Sequence, residues 1–194
     1  MRIVPAVKTR TPPQYLNPHL RWRPLSQQRL TPDVKAWLAD AGSLTHRLQG
    51  IGQFAVQPLR QGFAVPRAEE SWLLDLPARQ RALIREVALL VDGETLVYAR
   101  SVIPLASLTG ANRVLGHMAR RSLGAELFRR PKARRRAIWA AQIDAGVLPV
   151  GSEGMAWGRQ SLFRKRGKPL LVSEVFLPAL WARLGKPVTL PAPR

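Results

Sequence analysis

The chain has 194 residues, which suits one domain, and its 31 Lys and Arg against 12 Asp and Glu give a formal net charge of +19. It has no cysteine, which excludes disulfide frameworks, thiolate metal sites and cysteine nucleophiles. It also lacks the run of about eighteen apolar residues that a membrane-spanning helix needs. The charge favours an anionic partner, and composition alone makes nucleic-acid binding the leading hypothesis.

Two short helices are the first elements that the sequence predicts. Residues 1–30 are rich in proline and arginine, and we interpret them as an irregular basic arm. Thr31 followed by Pro32 is typical of a helix start, and Gly42 is typical of its end. Ser43 then suits the N-cap of a second short helix.

The strongest local signal is a β-hairpin. Residues 83–91 and 96–104 are two apolar, partly β-branched runs, and Asp92 and Gly93 lie between them. An Asp-Gly pair favours a type I′ turn, in which both central residues have positive φ. Residues 53–63 predict a further strand before this hairpin, with an irregularity at a proline. An antiparallel sheet argues against an all-helical nucleic-acid-binding module.

The middle of the chain gives weaker signals. A helix is predicted over residues 111–120, where apolar side chains share one face. Residues 129–136 form the densest basic run of the sequence. Residues 137–143 are predicted to be a helix from their alanine content, although Ile138, Ala140 and Gln142 also permit a strand.

A second hairpin is predicted near the end of the chain. Residues 157–164 and 170–178 are the two strands, and residues 166–169 form the turn. We interpret residues 179–194, which contain three prolines, as a loosely held tail. The fold class that follows is α+β: a single domain at 31–178 with helices flanking an antiparallel sheet.

Two charged side chains interrupt apolar strands. Arg85 and Glu86 lie in the first hairpin, where both faces of the strand are apolar, so one of them is expected to point inward. Glu174 lies in the last strand between apolar neighbours. A buried charge needs a partner, so one interpretation is a structural Arg85–Glu174 ion pair, or else solvated residues on an open sheet face. The other is a pocket with Arg85 for a carboxylate and Glu174 for a hydroxyl, matching a para-substituted benzoate. Periodicity does not decide between them.

The sequence resembles the chorismate pyruvate-lyase family. The resemblance is carried by IREV at 84–87, KPLLVSEVFLP at 168–178 and a colinear set of shorter matches. These matches lie at residues 37–38, 43–47, 59–63, 92–94, 99–104, 108–110, 122–124, 127–128, 157–159 and 161. Each is weak alone, but their shared order over residues 33–178 is specific.

The resemblance implies a six-stranded antiparallel sheet with helices packed on it and a buried site closed by flaps. It implies that Arg85 binds the ring carboxylate and that Glu174 contacts the 4-hydroxyl, and these are the expected catalytic residues. Backbone N–H groups at Leu44 and Leu123 would assist with the carboxylate. Arg100, in the same hairpin as Arg85, is a candidate for the second carboxylate of the substrate, although a surface role is equally compatible.

The implied enzyme is a lyase that converts chorismate to 4-hydroxybenzoate and pyruvate, the first committed step towards ubiquinone. Aromatisation makes the reaction downhill, so it needs no cofactor, and the three scattered histidines suggest no metal site. We expect a cytoplasmic monomer with product inhibition and no obligate nucleic-acid partner.

The same fold also serves as a ligand sensor in transcription regulators, which is the main alternative, but the proline-rich residues 1–30 do not suit a DNA-binding module. A nucleic-acid binder using residues 129–136 is the second alternative, although no aromatic side chains are interleaved there for stacking. An association of this basic surface with membranes is left open. The terminal extensions and residues 147–156, an apparent insertion, depart from the family pattern.

Overall fold

The computed structural model describes residues 20–186. Its strands are β1 (Arg23–Pro24), β2 (Phe54–Ala64), β3 (Ala82–Val91), β4 (Glu94–Pro104), β5 (Arg134–Asp144), β6 (Met155–Lys165) and β7 (Lys168–Phe176). Its α-helices are α1 (Pro32–Leu38), α2 (Leu44–Gln49), α3 (Ala68–Leu73), α4 (Leu123–Phe128) and α5 (Pro178–Arg183). Short 3-10 helices occupy Leu25–Gln27, Leu105–Ser107, Gly110–Gly116 and Ala145–Val147.

All seven strands form one antiparallel sheet in the order β1-β5-β6-β7-β4-β3-β2. The predicted α+β class is confirmed, but the sheet has one strand more than the six expected. The extra strand is β1, where Arg23 pairs with Ala140 and Pro24 with Trp139. Trp22 is buried beside it and packs into the apolar core, which holds this edge of the sheet in place.

Both predicted hairpins are confirmed. Asp92 and Gly93 connect β3 to β4 with φ values of 49° and 84°, the positive φ values that a type I′ turn needs. Arg166 and Gly167 connect β6 to β7 in the same way, at 49° and 78°. The β3–β4 register then shifts by one residue, because Leu96 is left unpaired between Thr95 and Val97. Such a bulge changes the face to which every later side chain of β4 points.

Helices cover the sheet on both faces. On one face α1 and α5 pack against the ends of β3, β4, β6 and β7, and α4 packs against the other end of the same strands. On the opposite face the core includes residues at the end of α3 and Trp22. No helix among residues 20–186 is both long enough and apolar enough to cross a bilayer.

Several local predictions need correction. The helix predicted over 111–120 is the 3-10 helix Gly110–Gly116, and Ala119 with φ 43° lies outside helical backbone. The helix predicted over residues 137–143 is wrong, because these residues belong to β5, the alternative that the sequence also permitted. These residues pair with β6 along their length, so tertiary pairing outweighs their alanine content.

The expected arm and tail are only partly described. Residues 1–19 and 187–194 lie outside the described residues. The part of the arm from residue 20 contributes Trp22 and β1 to the sheet. At the other end, α5 differs from the expected loose tail, because Leu180 and Trp181 are buried in the core. Proline at the start of α5 suits the first helical turn, where its missing N–H is not needed.

Candidate active site

A pocket lies between the sheet and the N-terminal ends of α2 and α4 and contains about 550 Å³ of empty space, part of it open to solvent. Most of its lining is apolar. Its charged side chains are Arg85, Arg135, Arg159 and Glu174, and its other lining residues include Leu44, Val56, Val87, Leu89, Ala99, Ser101, Leu123, Leu127, Phe163 and Val172. An apolar pocket with a few converging polar groups is typical of small-ligand sites.

Arg85 is a buried cation without a counter-charge among the residues that the structure describes. Its side chain is 3% exposed, and Nη2 donates hydrogen bonds to the carbonyls of Ala119 and Arg121 at 3.0 and 2.9 Å. Its Nε is buried without a partner, and no carboxylate in residues 20–186 forms an ion pair with it. Burial lowers the pKa of the Arg85 guanidinium. An anionic ligand would supply the charge that this site lacks.

Glu174 pairs with a residue that the sequence reading did not select. Arg159 on β6 lies directly opposite Glu174 on β7, and Arg159 Nε donates to Glu174 Oε2 at 2.6 Å. Nη1 of Arg159 also donates to the carbonyls of Trp37, Leu38 and Asp40 at the end of α1. The Arg85–Glu174 ion pair, one of the interpretations that the sequence left open, is therefore wrong.

Arg135 is the third arginine of the pocket, and it belongs to the basic run at residues 129–136. Its neighbours Arg134 and Arg136 are exposed, whereas Arg135 is half-buried and points inward. Its Nη1 donates to the Asp40 carbonyl at 2.6 Å, and its Nε is buried without a partner. Burial, together with the nearby Arg159 cation, lowers the pKa of Arg135. Its direction depends on a bulge in β5, where Arg136 is left unpaired between Arg135 and Ala137. Regular alternation would have placed Arg135 on the opposite face, with Ala137 and Trp139.

Arg100 does not line the pocket, so its expected contact with the second carboxylate needs correction. It pairs across the strands with Glu86, while Arg85 pairs with Ser101, so Arg100 and Arg85 point to opposite faces. Its guanidinium binds the carboxylates of Glu70 and Glu86. Burial alone would lower the pKa of Arg100, but these two carboxylates raise it. The bulge at Leu96 explains the difference, because an unshifted two-residue hairpin would place Arg100 opposite Arg85.

Leu44 and Leu123 are the first residues of α2 and α4. An N–H group in the first helical turn has no acceptor within its own helix, so it is free to bind a ligand. Ser43 and Ser122 cap the two helices. The Thr45 and Ser122 hydroxyls hydrogen-bond each other and so join the two helices over the pocket.

The other end of α4 is fixed to the sheet. Lys165 on β6 is fully buried, and its Nζ donates to the carbonyls of Glu126 and Arg129 at 2.7 and 2.8 Å. These carbonyls lie at the C-terminal end of α4, where the Glu126 carbonyl accepts a backbone bond of 3.3 Å from the Arg129 N–H. The sheet therefore positions both the floor of the pocket and the helix that covers it.

Comparisons with known proteins agree with this arrangement. A family model described as chorismate lyase matches residues 16–186. A probable chorismate pyruvate-lyase of Alcanivorax borkumensis is 52% identical over 172 residues, covering 89% of this chain and 82% of the relative. The corresponding protein of Methylococcus capsulatus is 42% identical over 158 residues, covering 76% and 96%.

Among solved structures, similar folds occur in a Staphylococcus aureus gene product and in the PhnF C-terminal domain. The first has a TM-score of 0.53 at 16% identity and covers 80% of this chain and 97% of the other. The second has a TM-score of 0.53 at 12% identity and covers 70% and 88%. At these identities the likeness concerns the fold alone. The family match and the two close sequence relatives show that the chain belongs to the chorismate lyase family.

Proposed function

We propose that this chain is a chorismate pyruvate-lyase, which converts chorismate to 4-hydroxybenzoate and pyruvate. The observation that carries the proposal is Arg85, a buried guanidinium in a largely apolar pocket with no carboxylate bound to it among the described residues. An uncompensated buried cation costs stability, and a substrate carboxylate would offset that cost. The membership of the chain in the chorismate lyase family supports the same conclusion.

Arg85 and Glu174 are separated by a distance that suits the two ends of a substituted ring. They lie on β3 and β7, with β4 between them, and are offset by two residues along the strands. This places their Cα atoms roughly 12 Å apart. The β4 residues between them are Ala99 and Ser101, whose small side chains line the pocket. A flat ring can therefore lie across β4, with its carboxylate towards Arg85 and its hydroxyl towards Glu174.

In this arrangement Arg85 anchors the ring carboxylate, and the N–H groups of Leu44 and Leu123 assist it. Charged hydrogen bonds of this kind fix orientation as well as affinity. Glu174 Oε2 is held by Arg159, while Oε1 bonds no donor within residues 20–186 and can accept a bond from the ring hydroxyl. Both roles follow from the family resemblance and from the position of these groups around the pocket.

The reaction breaks the bond between C3 of the ring and the ether oxygen. The C4 proton leaves, its bonding electrons complete the aromatic ring, and the departing enolpyruvate is protonated to give pyruvate. Glu174 is placed to orient the hydroxyl or to accept the C4 proton. Direct transfer of that proton to the departing group is equally compatible with these residues. Protein N–H donors stabilise the charge that develops on the departing group.

The product keeps the ring carboxylate and the hydroxyl, so Arg85 and Glu174 bind it about as they bind the substrate. Product inhibition is therefore part of this proposal, as is supply of 4-hydroxybenzoate to ubiquinone synthesis.

That the protein is a cytoplasmic monomer, and that its basic surface contacts membranes, stay predictions. We also propose that the catalytic domain extends beyond the predicted 31–178, because Trp22 and Trp181 pack into its core.

Purified protein incubated with chorismate in buffer containing a chelator tests the proposal. Absorbance follows 4-hydroxybenzoate, and lactate dehydrogenase with NADH measures pyruvate. We expect equal amounts of the two products, and an Arg85→Ala variant is the matched control. Binding of 4-hydroxybenzoate without any turnover of chorismate would overturn the proposal and favour the ligand sensor.

A further inference from the structure

We infer that Arg135 binds the second carboxylate of the substrate, the one on the enolpyruvyl side chain, and so distinguishes substrate from product. This inference rests on the proposed function, because it identifies a further group in the same pocket. It also replaces the role that the sequence suggested for Arg100.

The first argument is the unused bonding capacity of Arg135. A guanidinium has five N–H donors, and Arg135 uses Nη1 for one carbonyl, that of Asp40. Its Nε is buried without a partner, and no carboxylate within residues 20–186 forms an ion pair with it. The guanidinium carbon lies 5.0 Å from the centre of the Phe163 ring, a weaker contact than a carboxylate would provide.

The second argument is the position of Arg135. Its Nη1 and the Nη1 of Arg159 donate to the same carbonyl oxygen, that of Asp40, at 2.6 and 3.3 Å. Arg159 in turn binds Glu174. Arg135 therefore lies at the Glu174 end of the pocket, away from the proposed site of the ring carboxylate. In chorismate the hydroxyl and the ether oxygen are on adjacent ring carbons, so the ether carboxylate extends from that same end.

The third argument is that the other arginines of the site either are already hydrogen-bonded or face a different position. Arg159 uses Nε for Glu174 and Nη1 for three carbonyls. Arg85 faces the proposed ring-carboxylate position, and Arg100 is on the opposite face of the sheet. Arg135 and Arg159 also repel each other, which contributes to the lowered pKa of Arg135. A carboxylate between them would relieve that repulsion.

This assignment separates substrate binding from product binding. Chorismate has both carboxylates, whereas 4-hydroxybenzoate keeps the ring carboxylate and loses the other with the departing pyruvate. Arg135 therefore contributes affinity for the substrate that the aromatic product cannot use. It also lies where it can hold the carboxylate of the group that leaves.

The test compares Arg135→Gln with Arg136→Gln, a matched control at the exposed neighbouring position. The probes are 4-hydroxybenzoate and 3-(carboxymethoxy)-4-hydroxybenzoate, a stable compound with a second carboxylate on an ether beside the hydroxyl. Calorimetry measures the affinity of each variant for both compounds. We expect Arg135→Gln to weaken binding of the dicarboxylate by about 10- to 100-fold, the effect of one charged hydrogen bond, and to leave 4-hydroxybenzoate binding nearly unchanged.

Kinetics with chorismate give a second readout, and kcat/KM should fall by a similar factor in Arg135→Gln but not in Arg136→Gln. An equal loss of affinity for both compounds, or no loss for either, would overturn the inference. If Arg135→Gln does not fold, Arg135→Lys replaces it, with a smaller but still selective loss expected and an unselective one contradicting the role. Selective loss of dicarboxylate binding in a protein that does not turn over chorismate would support this inference while refuting the proposed function.

Discussion

Arg159 Nε and Glu174 Oε2 lie 2.6 Å apart at directly paired positions of β6 and β7. The same guanidinium bonds the carbonyls at the end of α1, so Glu174 is positioned by a side chain that is itself fixed. A carboxylate with one oxygen held in this way presents the other in a defined direction. Orientation of this precision is what a proton transfer or a hydroxyl contact requires.

We expect Glu174→Gln to lower kcat by about 100-fold or more, the usual contribution of a residue that handles a proton. Steady-state kinetics with chorismate measure this effect. The variant also leaves Arg159 buried without its carboxylate, which should cost about 3 kcal/mol of unfolding free energy. Urea denaturation separates the two effects, and an unchanged turnover rate would remove Glu174 from the chemistry.

Arg85→Met should abolish activity and stabilise the protein. Loss of two or more charged hydrogen bonds to the substrate should reduce kcat/KM by about 1,000-fold. Because the arginine is buried without a counter-charge, an apolar side chain of similar size should raise the unfolding free energy by about 1–2 kcal/mol. Kinetics and urea denaturation test both effects, and Arg121→Met, an exposed position, is the control. Near-normal turnover would contradict the assignment.

For Arg100→Met we expect the opposite of Arg85→Met, namely a loss of stability with little change in substrate binding. The variant leaves the Glu70 and Glu86 carboxylates without their cation, at a cost of about 3–5 kcal/mol. The KM for chorismate, measured at a temperature where the variant is folded, should change less than about threefold because Arg100 faces away from the pocket. A raised KM with unchanged stability would return Arg100 to the substrate site. The triple variant with Glu70→Gln and Glu86→Gln should recover part of the stability.

The hairpin and the inward Arg85 could be predicted because their signals are local. Asp92 and Gly93 require a particular turn, and the apolar neighbours of Arg85 define both faces of its strand. The face of Arg100 could not be predicted in this way. It depends on the unpaired Leu96, and nothing in the composition of β4 distinguishes a bulged strand from a regular one.

Arg159 and Arg135 were missed for a different reason. The role of Arg159 depends on the register of β6 against β7. It also depends on the carbonyls at the end of α1, which are more than a hundred positions away in the chain. Arg135 lies in a run of basic residues, so its charge carries no information by itself. Its inward direction depends on the bulge at Arg136, because regular alternation along β5 would place Arg135 on the face of Ala137 and Trp139.

Gly124→Ala should speed the release of product. A Cβ at this position would lie 2.8 Å from Thr45 Oγ1, too close for the hydroxyl to keep its bond with Ser122. Loss of that bond should raise the dissociation rate of 4-hydroxybenzoate about tenfold, as measured by stopped-flow tryptophan fluorescence. Adding Thr45→Ala to Gly124→Ala relieves the clash but not the lost bond, so the double variant should match Thr45→Ala alone. An unchanged dissociation rate in Gly124→Ala would show that the contact does not limit release.

Asp92 should make the stability of the protein depend on pH in the acid range. The Gln53 N–H bonds this carboxylate, and with Arg183 it lowers the pKa of Asp92 below the ordinary value of 3.8. A lowered pKa in the folded state means that the stabilisation is complete above pH 3.8 and is lost as the pH falls through the folded value. Asp92→Asn, which tolerates positive φ, should reduce the dependence of unfolding free energy on pH below 3.8. If the unfolding free energy of Asp92→Asn depended on pH as steeply as that of the unmodified protein, other carboxylates would be the cause of the dependence.

The buried Lys165 holds one end of α4, the helix that covers the pocket. Because its ammonium group holds the carbonyls of Glu126 and Arg129, the C-terminal end of α4 is a pivot, and any displacement of the helix is greatest at Ser122. We expect rotation about this end to part α4 from α2 while the apolar contacts of Leu127 with the sheet persist. The gap between the two helices would then be the route of ligand exchange, with an energy barrier that depends on a few contacts at one helix end.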